Sequence, residues 1–155
     1  MTQPSSETAT AESRPDVSPE RFVFDACALI ALLNGEDGAE KVERLVEQAQ
    51  AGEIQIFIAS VNLYEVYYDS VRRSSADKAE EVLNDLYEMP ITVVETIDRA
   101  IMRPASHFKT TFKLSLADSI ALALAKQLGA PVVSTDHHEF DAVEKSGEIR
   151  FFWPR

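Results

Sequence analysis

Arg21-Phe-Val-Phe-Asp25-Ala-Cys-Ala-Leu-Ile30-Ala-Leu-Leu33 is the stretch that decides the fold. It opens as a short apolar strand, Phe22 to Phe24, stops at an acid, and runs straight into an apolar helix. A charge at a strand end is costly unless something uses it. Open α/β sheets build their sites just beyond the carboxyl ends of their strands, so Asp25 is the first candidate functional residue.

The same pattern of strand, turn and helix recurs downstream. Ala39 to Gln50 reads as a helix, with Val42, Leu45, Val46 and Ala49 on one face and Gly52 as its stop. Ile54 to Ala59 is a second strand. A helix to Arg73 follows, with Ser60 as the expected N-cap and Tyr64, Tyr67, Tyr68 and Val71 as the expected buried stripe. Ser74 or Ser75 opens a helix to about Glu88 that turns Ala79, Val82, Leu83 and Leu86 inward. Pro90 ends it, and Ile91 to Glu95 is a third strand. Asp98 to Phe108 is expected to be helical, kinked or shortened by Pro104, before a polar, basic loop from His107 to Lys113. Ser115-Leu-Ala-Asp118 opens a strongly apolar helix that Gly129 ends. Pro131 to Ser134 is a fourth strand, leading into Thr135-Asp136 and a loop with a short helix to Lys145. Ile149 to Trp153 is the last strand. Strands alternating with helices imply a three-layer α/β/α domain around a mostly parallel central sheet.

Met1 to Glu20 is rich in Ser, Thr, Pro, Glu and Ala and has no hydrophobic period. Such a segment buries too little surface to offset its ordering entropy. The expected organisation is a disordered tail over residues 1–20 and one domain over 21–155.

Composition narrows the function classes. The formal net charge is -11, whereas proteins that grip nucleic acid through its phosphates are usually basic. Tight non-specific nucleic-acid binding is therefore not expected. Acids that hold a divalent metal, or a basic partner protein, would both suit the charge. Cys27 is the only cysteine, so no internal disulfide can form and a cytoplasmic location is expected. Cys27 itself reads as a small buried hydrophobe. Leu116 to Leu128, the most apolar run, is broken by Asp118 and Lys126, so no membrane span is expected. Five glycines and no Gly-rich loop argue against phosphate-loop and dinucleotide-binding readings.

Each conspicuous acid has an ordinary explanation when taken singly. Asp25 and Asp136 follow strands and can cap the next helix. Ser115 and Asp118 fit a capping box, and Glu65 lies near a helix start, where the dipole favours an acid. Taken together they imply more, because a parallel sheet puts all four on one rim. Carboxylates crowded there repel one another and would take up protons. A divalent cation removes that conflict, and hard oxygen ligands suit Mg²⁺ or Mn²⁺. The chemistry this favours is metal-assisted hydrolysis of a phosphodiester.

Four segments carry a family resemblance: Phe24-Asp25-Ala-Cys-Ala-Leu-Ile30, Asn62-Leu-Tyr-Glu65-Val, Lys113-Leu-Ser-Leu-Ala-Asp118-Ser-Ile-Ala-Leu-Ala and Val133-Ser-Thr-Asp136-His-His-Glu-Phe140. They resemble the four acidic motifs of the PIN-domain family, most closely the VapC-type toxin ribonucleases of bacterial toxin–antitoxin pairs. The resemblance covers nearly all of Arg21 to Pro154. It implies that Asp25, Glu65, Asp118 and Asp136 are the catalytic, metal-site acids, with Asp141 an alternative to Asp136. It further implies Mg²⁺ or Mn²⁺ as cofactor, single-stranded RNA as substrate, an antitoxin protein as partner, and a homodimer. Ser134 or Thr135 would be a polar helper to water or metal. Arg72, Arg73, Lys109 and Lys113 are candidate phosphate contacts. The chain departs from its relatives where many carry Ser or Thr after the first acid, since Ala26 and Cys27 stand here. That departure motivates a rival reading, a catalytically weakened PIN-like interaction module. A phosphorelay receiver, also an α/β domain with Mg²⁺-binding acids, fits poorly: Glu95 stands where its phosphoacceptor Asp should be, and no suitable Lys follows the fourth strand.

Overall fold

The computed structural model describes residues 17–155. Five strands form one sheet: β1 (Glu20–Phe24), β2 (Ile54–Ala59), β3 (Ile91–Val94), β4 (Val132–Val133) and β5 (Phe151–Phe152). Every pairing is parallel, and the order is β3-β2-β1-β4-β5. Seven helices cover it: α1 (Ala26–Asn34), α2 (Ala39–Gln50), α3 (Ser60–Arg73), α4 (Ala76–Glu88), α5 (Arg99–Phe112), α6 (Leu116–Leu128) and α7 (His137–Ser146). The expected three-layer α/β/α architecture is the one observed. Of the tail expected over 1–20, residues 1–16 lie outside the described residues, and Glu20 is already the first residue of β1.

Alternation along β1 builds two cores. Phe22 and Phe24 point to one face, where they join Leu29 of α1, Val42 and Leu45 of α2, Leu63 and Val66 of α3, and Leu86 of α4. Val23 points to the other face, with Phe108 of α5, Ile120, Leu122 and Leu124 of α6, and Phe140 of α7. In β4 the two valines divide in the same way, Val132 to the second core and Val133 to the first. Central strands buried on both faces read as apolar runs, which is why Phe22 to Phe24 shows no polar alternation.

Three local expectations change. In α3 the buried residues are Asn62, Leu63, Val66 and Asp69, while Tyr64 and Tyr68 are 64% and 56% exposed. The inward stripe contains two polar residues, so hydrophobic periodicity picked out the tyrosine face instead. Ser60 is the first helical residue and Ala59 the cap position, with no side-chain cap. The helix α5 runs through the region expected to be a loop, up to Phe112. Pro104 is accommodated inside it because Phe108 and Phe112 continue its apolar face into the core. Asp98 caps its start, and Lys113 ends it in the left-handed conformation, φ 55°.

Candidate active site

The sheet order places a topological switch between β1 and β4. From β1 the chain crosses to β2 on one side, and β4 returns on the other. The crevice beyond the carboxyl ends of such a strand pair is where α/β sheets bind their ligands. Asp25 follows β1 there, and Ser134-Thr135-Asp136 follows β4. The backbone sets this register: the Asp25 amide donates to the Val133 carbonyl at 3.2 Å.

The other two acids reach the same rim from helices. β2 passes directly into α3, so Glu65, in its second turn, stays near the carboxyl end of the sheet. The end of α6 feeds β4 at the opposite edge, so α6 must begin at this one, with Asp118 in its first turn. Ordinary capping holds several of these groups. Asp25 Oδ1 accepts from the Ala28 amide at 2.9 Å, Asp136 Oδ1 from the Glu139 amide at 3.3 Å, and Ser115 Oγ from the Asp118 amide at 3.1 Å. Capping and site placement are compatible, since both follow from acids at helix starts.

The electrostatics show that the acids are neighbours. Burial raises the Asp25 carboxyl from 3.8 to about 7, with repulsion from Asp118 and Glu65 adding to it; hydrogen bonds from Ser134 and Ala28 oppose the rise. Glu65 is raised by desolvation and by Asp118, with the Asn62 amide opposing. Asp118 is raised by desolvation, and then by Glu139 and Asp136. The Cys27 thiol, half-buried rather than the buried hydrophobe expected, is pushed far above its ordinary range by desolvation and then by Asp25, Asp136, Asp118 and Glu65. Three carboxyl groups are thus held against their preference for charge.

Two polar side chains stand between the segments that carry the acids. Ser134 Oγ accepts from the Asp136 amide at 3.1 Å and donates toward Asp25. Asn62 Nδ2 donates to Ala117 O at 3.2 Å, beside Asp118, and reaches Glu65 Oε2 at 3.5 Å. Thr135 Oγ1 instead donates to the Cys27 carbonyl at 3.5 Å. It lines a pocket of about 190 Å³ with Cys27, Ile30, Glu36, Asp136 and Arg155.

The basic candidates are placed differently. Arg72 and Arg73 both pair with Asp69 at 2.7 Å. Arg72 lies seven residues beyond Glu65 on α3, roughly 10 Å along the axis and away from the rim. Lys109 donates to the Leu114 carbonyl at 2.9 Å. Lys113 stands two residues before the Ser115 cap, on the edge where α6 begins. Asp141 is exposed and does not figure among the groups acting on the other acids. Glu139, one helical turn after Asp136, repels Asp118 and was missed from sequence. The i, i+3 spacing from Asp136 was the available signal.

Among the described residues, no three or more His, Cys, Asp or Glu side chains gather closely enough to hold a metal ion as they stand. The carboxylates are neighbours rather than a closed ligand shell. Their chemistry nevertheless fits a hard divalent cation: all donors are oxygens, and the strain on Asp25, Glu65 and Asp118 is of the kind a cation relieves.

Comparison with known proteins identifies the family. A PIN-domain family model matches residues 22–146. This chain belongs to the PIN-domain family. Solved structures agree on the fold. A toxin–antitoxin complex from Klebsiella pneumoniae is 19% identical, with a TM-score of 0.61, covering 86% of this chain and 97% of its own. DNA-bound VapBC from Salmonella typhimurium is 16% identical, TM-score 0.67, covering 88% and 99%. VapC20 of Mycobacterium tuberculosis, described as a sarcin-ricin-loop-cleaving toxin, is 16% identical, TM-score 0.61, covering 78% and 94%. At such identities they bear on the fold alone. No curated protein matches the sequence.

Proposed function

We infer that this PIN-domain chain is a metal-dependent endoribonuclease, the toxin of a type II toxin–antitoxin pair. What supports this reading is that Asp25, Glu65, Asp118 and Asp136 lie along one rim of a PIN-family sheet, near enough for Asp25 to sense Asp118 and Glu65 and for Asp118 to sense Asp136. Asp25 and Asp118 would hold most of a bound Mg²⁺ or Mn²⁺, with Glu65 and Asp136 completing the set. When bound, such an ion supplies Lewis acidity and neutralises charge at the scissile phosphate. Glu65, half-buried and raised by desolvation and by Asp118, is suited to orient a water and accept its proton. Ser134 and Asn62 would hold the segments that carry the acids, and Lys113 is the basic side chain best situated to meet RNA phosphate beside α6.

The antitoxin partner is supported by the toxin–antitoxin assemblies among the similar structures. The exposed stripe of Tyr64, Tyr68 and Val71 on α3 supports a protein contact, which we assign to a homodimer. No helix of the described residues is long and apolar enough to cross a membrane, in keeping with a cytoplasmic enzyme.

The deciding experiment is cleavage of single-stranded RNA with and without Mn²⁺ by wild type, Asp25→Asn and Asp118→Asn. Both variants should fold, as judged by circular dichroism, and both should lose cleavage. Undiminished cleavage in both would sink the assignment. The rival, a weakened interaction module, draws on Ala26 and on the open arrangement of the carboxylates. It requires that calorimetry with Mn²⁺ detect no site dependent on Asp25 and Asp118.

A further inference from the structure

Asn62 is fully buried on the inward face of α3. An amide there gives up water at both ends and is retained only when something compensates. Its Nδ2 has two acceptors, Ala117 O at 3.2 Å and Glu65 Oε2 at 3.5 Å, the second at the outer limit of a hydrogen bond. Two acceptors on one side fix the orientation of the amide, because a flipped Asn62 would set oxygen against oxygen. Its Oδ1 then receives no hydrogen bond from any protein group, and no other buried side-chain nitrogen or oxygen among the described residues is left so.

Neither acceptor needs Asn62 for its own sake. The Ala117 carbonyl lies in the first turn of α6, where the helix itself provides a donor four residues on. Glu65 is only half-buried and open to water. A leucine would occupy similar space without a desolvated carbonyl, and because the Ala117 carbonyl keeps its helical donor and Glu65 keeps water, the change leaves no buried acceptor without a partner, which is the loss that would be costly. Folding alone therefore gives little reason for an amide at this point. What Asn62 does uniquely is join the start of α3 to the start of α6, between two acids that repel each other.

We propose that Asn62 is the positioning residue of the Glu65–Asp118 pair, its amide clamping Glu65 against the residue that precedes Asp118. The role rests on the nuclease reading, since it is for metal and RNA that this pair must be held together. Residues that orient metal ligands are worth roughly 10- to 100-fold in metal affinity.

The test uses the full chain with Asn62→Leu, measured three ways: urea unfolding, Mn²⁺ calorimetry, and steady-state RNA cleavage. The expected result is a variant at least as stable as wild type that binds Mn²⁺ roughly 10- to 100-fold more weakly. Its kcat should fall while KM for RNA holds. Stability and function then move in opposite directions, which a merely structural residue would not produce. A folded variant with Mn²⁺ affinity and kcat within about twofold of wild type overturns the proposal. So does a leucine variant that fails to fold, because the amide would then be a requirement of the core. Asn62→Ala, which leaves a small cavity but no clash, must repeat the loss of Mn²⁺ affinity. A wild type that neither binds Mn²⁺ nor cuts RNA removes the nuclease reading itself; an active wild type with unaltered variants removes only the role of Asn62.

Discussion

Ser134 Oγ accepts the Asp136 amide hydrogen at 3.1 Å. The same hydroxyl favours the charged form of the Asp25 carboxyl, so it lies beside the acid after β1 while holding the backbone of the acid after β4. Ser134 is completely buried, and nothing in its sequence neighbourhood marks it above Thr135. Removing the hydroxyl in Ser134→Ala should unlock both acids at once. The expected effect is a loss of roughly 10- to 100-fold in Mn²⁺ affinity, read by calorimetry. An unchanged affinity would reduce Ser134 to a packing residue.

Asp25 makes stability depend on pH in the metal-free protein. Its carboxyl is raised by burial, and further by Asp118 and Glu65, from 3.8 to about 7. The folded state therefore holds this proton more tightly than the unfolded chain does. The contribution to stability is full below the unfolded value and is lost as pH rises through about 7. Urea melts of chelator-treated protein should give a lower unfolding free energy at about pH 8 than at about pH 5. Asp25→Asn, which carries no charge to bury, should flatten that slope, and added Mn²⁺ should restore stability at the higher pH by binding the folded state. A wild-type slope unchanged by the substitution would count against Asp25 as its source.

Glu139 and Asp141 separate the two ways of extending the acid set. Glu139 acts on Asp118, whereas Asp141 is exposed. Glu139→Gln should change Mn²⁺ affinity several-fold, and Asp141→Asn should leave it alone. The reverse pattern would make Asp141, not Asp136 with Glu139, the outer acid of the site.

Cys27 should behave as an inert thiol. Burial, and then Asp25, Asp136, Asp118 and Glu65, push it well above the ordinary thiol range, and a thiol rather than a thiolate is a poor nucleophile. Iodoacetamide at about pH 8 should alkylate the native protein far more slowly than the urea-unfolded chain. Cys27→Ser should retain RNA cleavage. Rapid native alkylation would contradict the environment described for it.

Much of the site was legible because its acids sit where local sequence announces helix starts. Asp25, Asp118 and Asp136 each stand at a strand end or a capping position, and such positions carry their own sequence signals. Glu65 was placed by the helix that follows β2. The tyrosine face of α3 was misassigned for the opposite reason. Asn62 and Asp69 are polar residues on the buried side, which a hydrophobic pattern counts as outward-facing: Asn62 reaches the Ala117 carbonyl across 55 residues, and Asp69 pairs with Arg72 and Arg73 three and four residues along the same helix. The helix through His107 to Phe112 was masked by the polar, basic composition of that segment, in which Phe108 is nevertheless fully buried and Phe112 packs against the core.

The sequence by itself determined the layered parallel fold, since apolar runs ending in acids and alternating with amphipathic helices admit few other arrangements. It also determined the order of the four acidic motifs and the helix starts that carry them. Only the tertiary structure decided how the acids are held. The pairing of β1 with β4 brings Ser134 between Asp25 and Asp136, and the packing of α3 on α6 brings Asn62 across 55 residues to the carbonyl beside Asp118. Such contacts depend on sheet order and helix rotation, which are settled by long-range packing and leave no periodic trace in the chain.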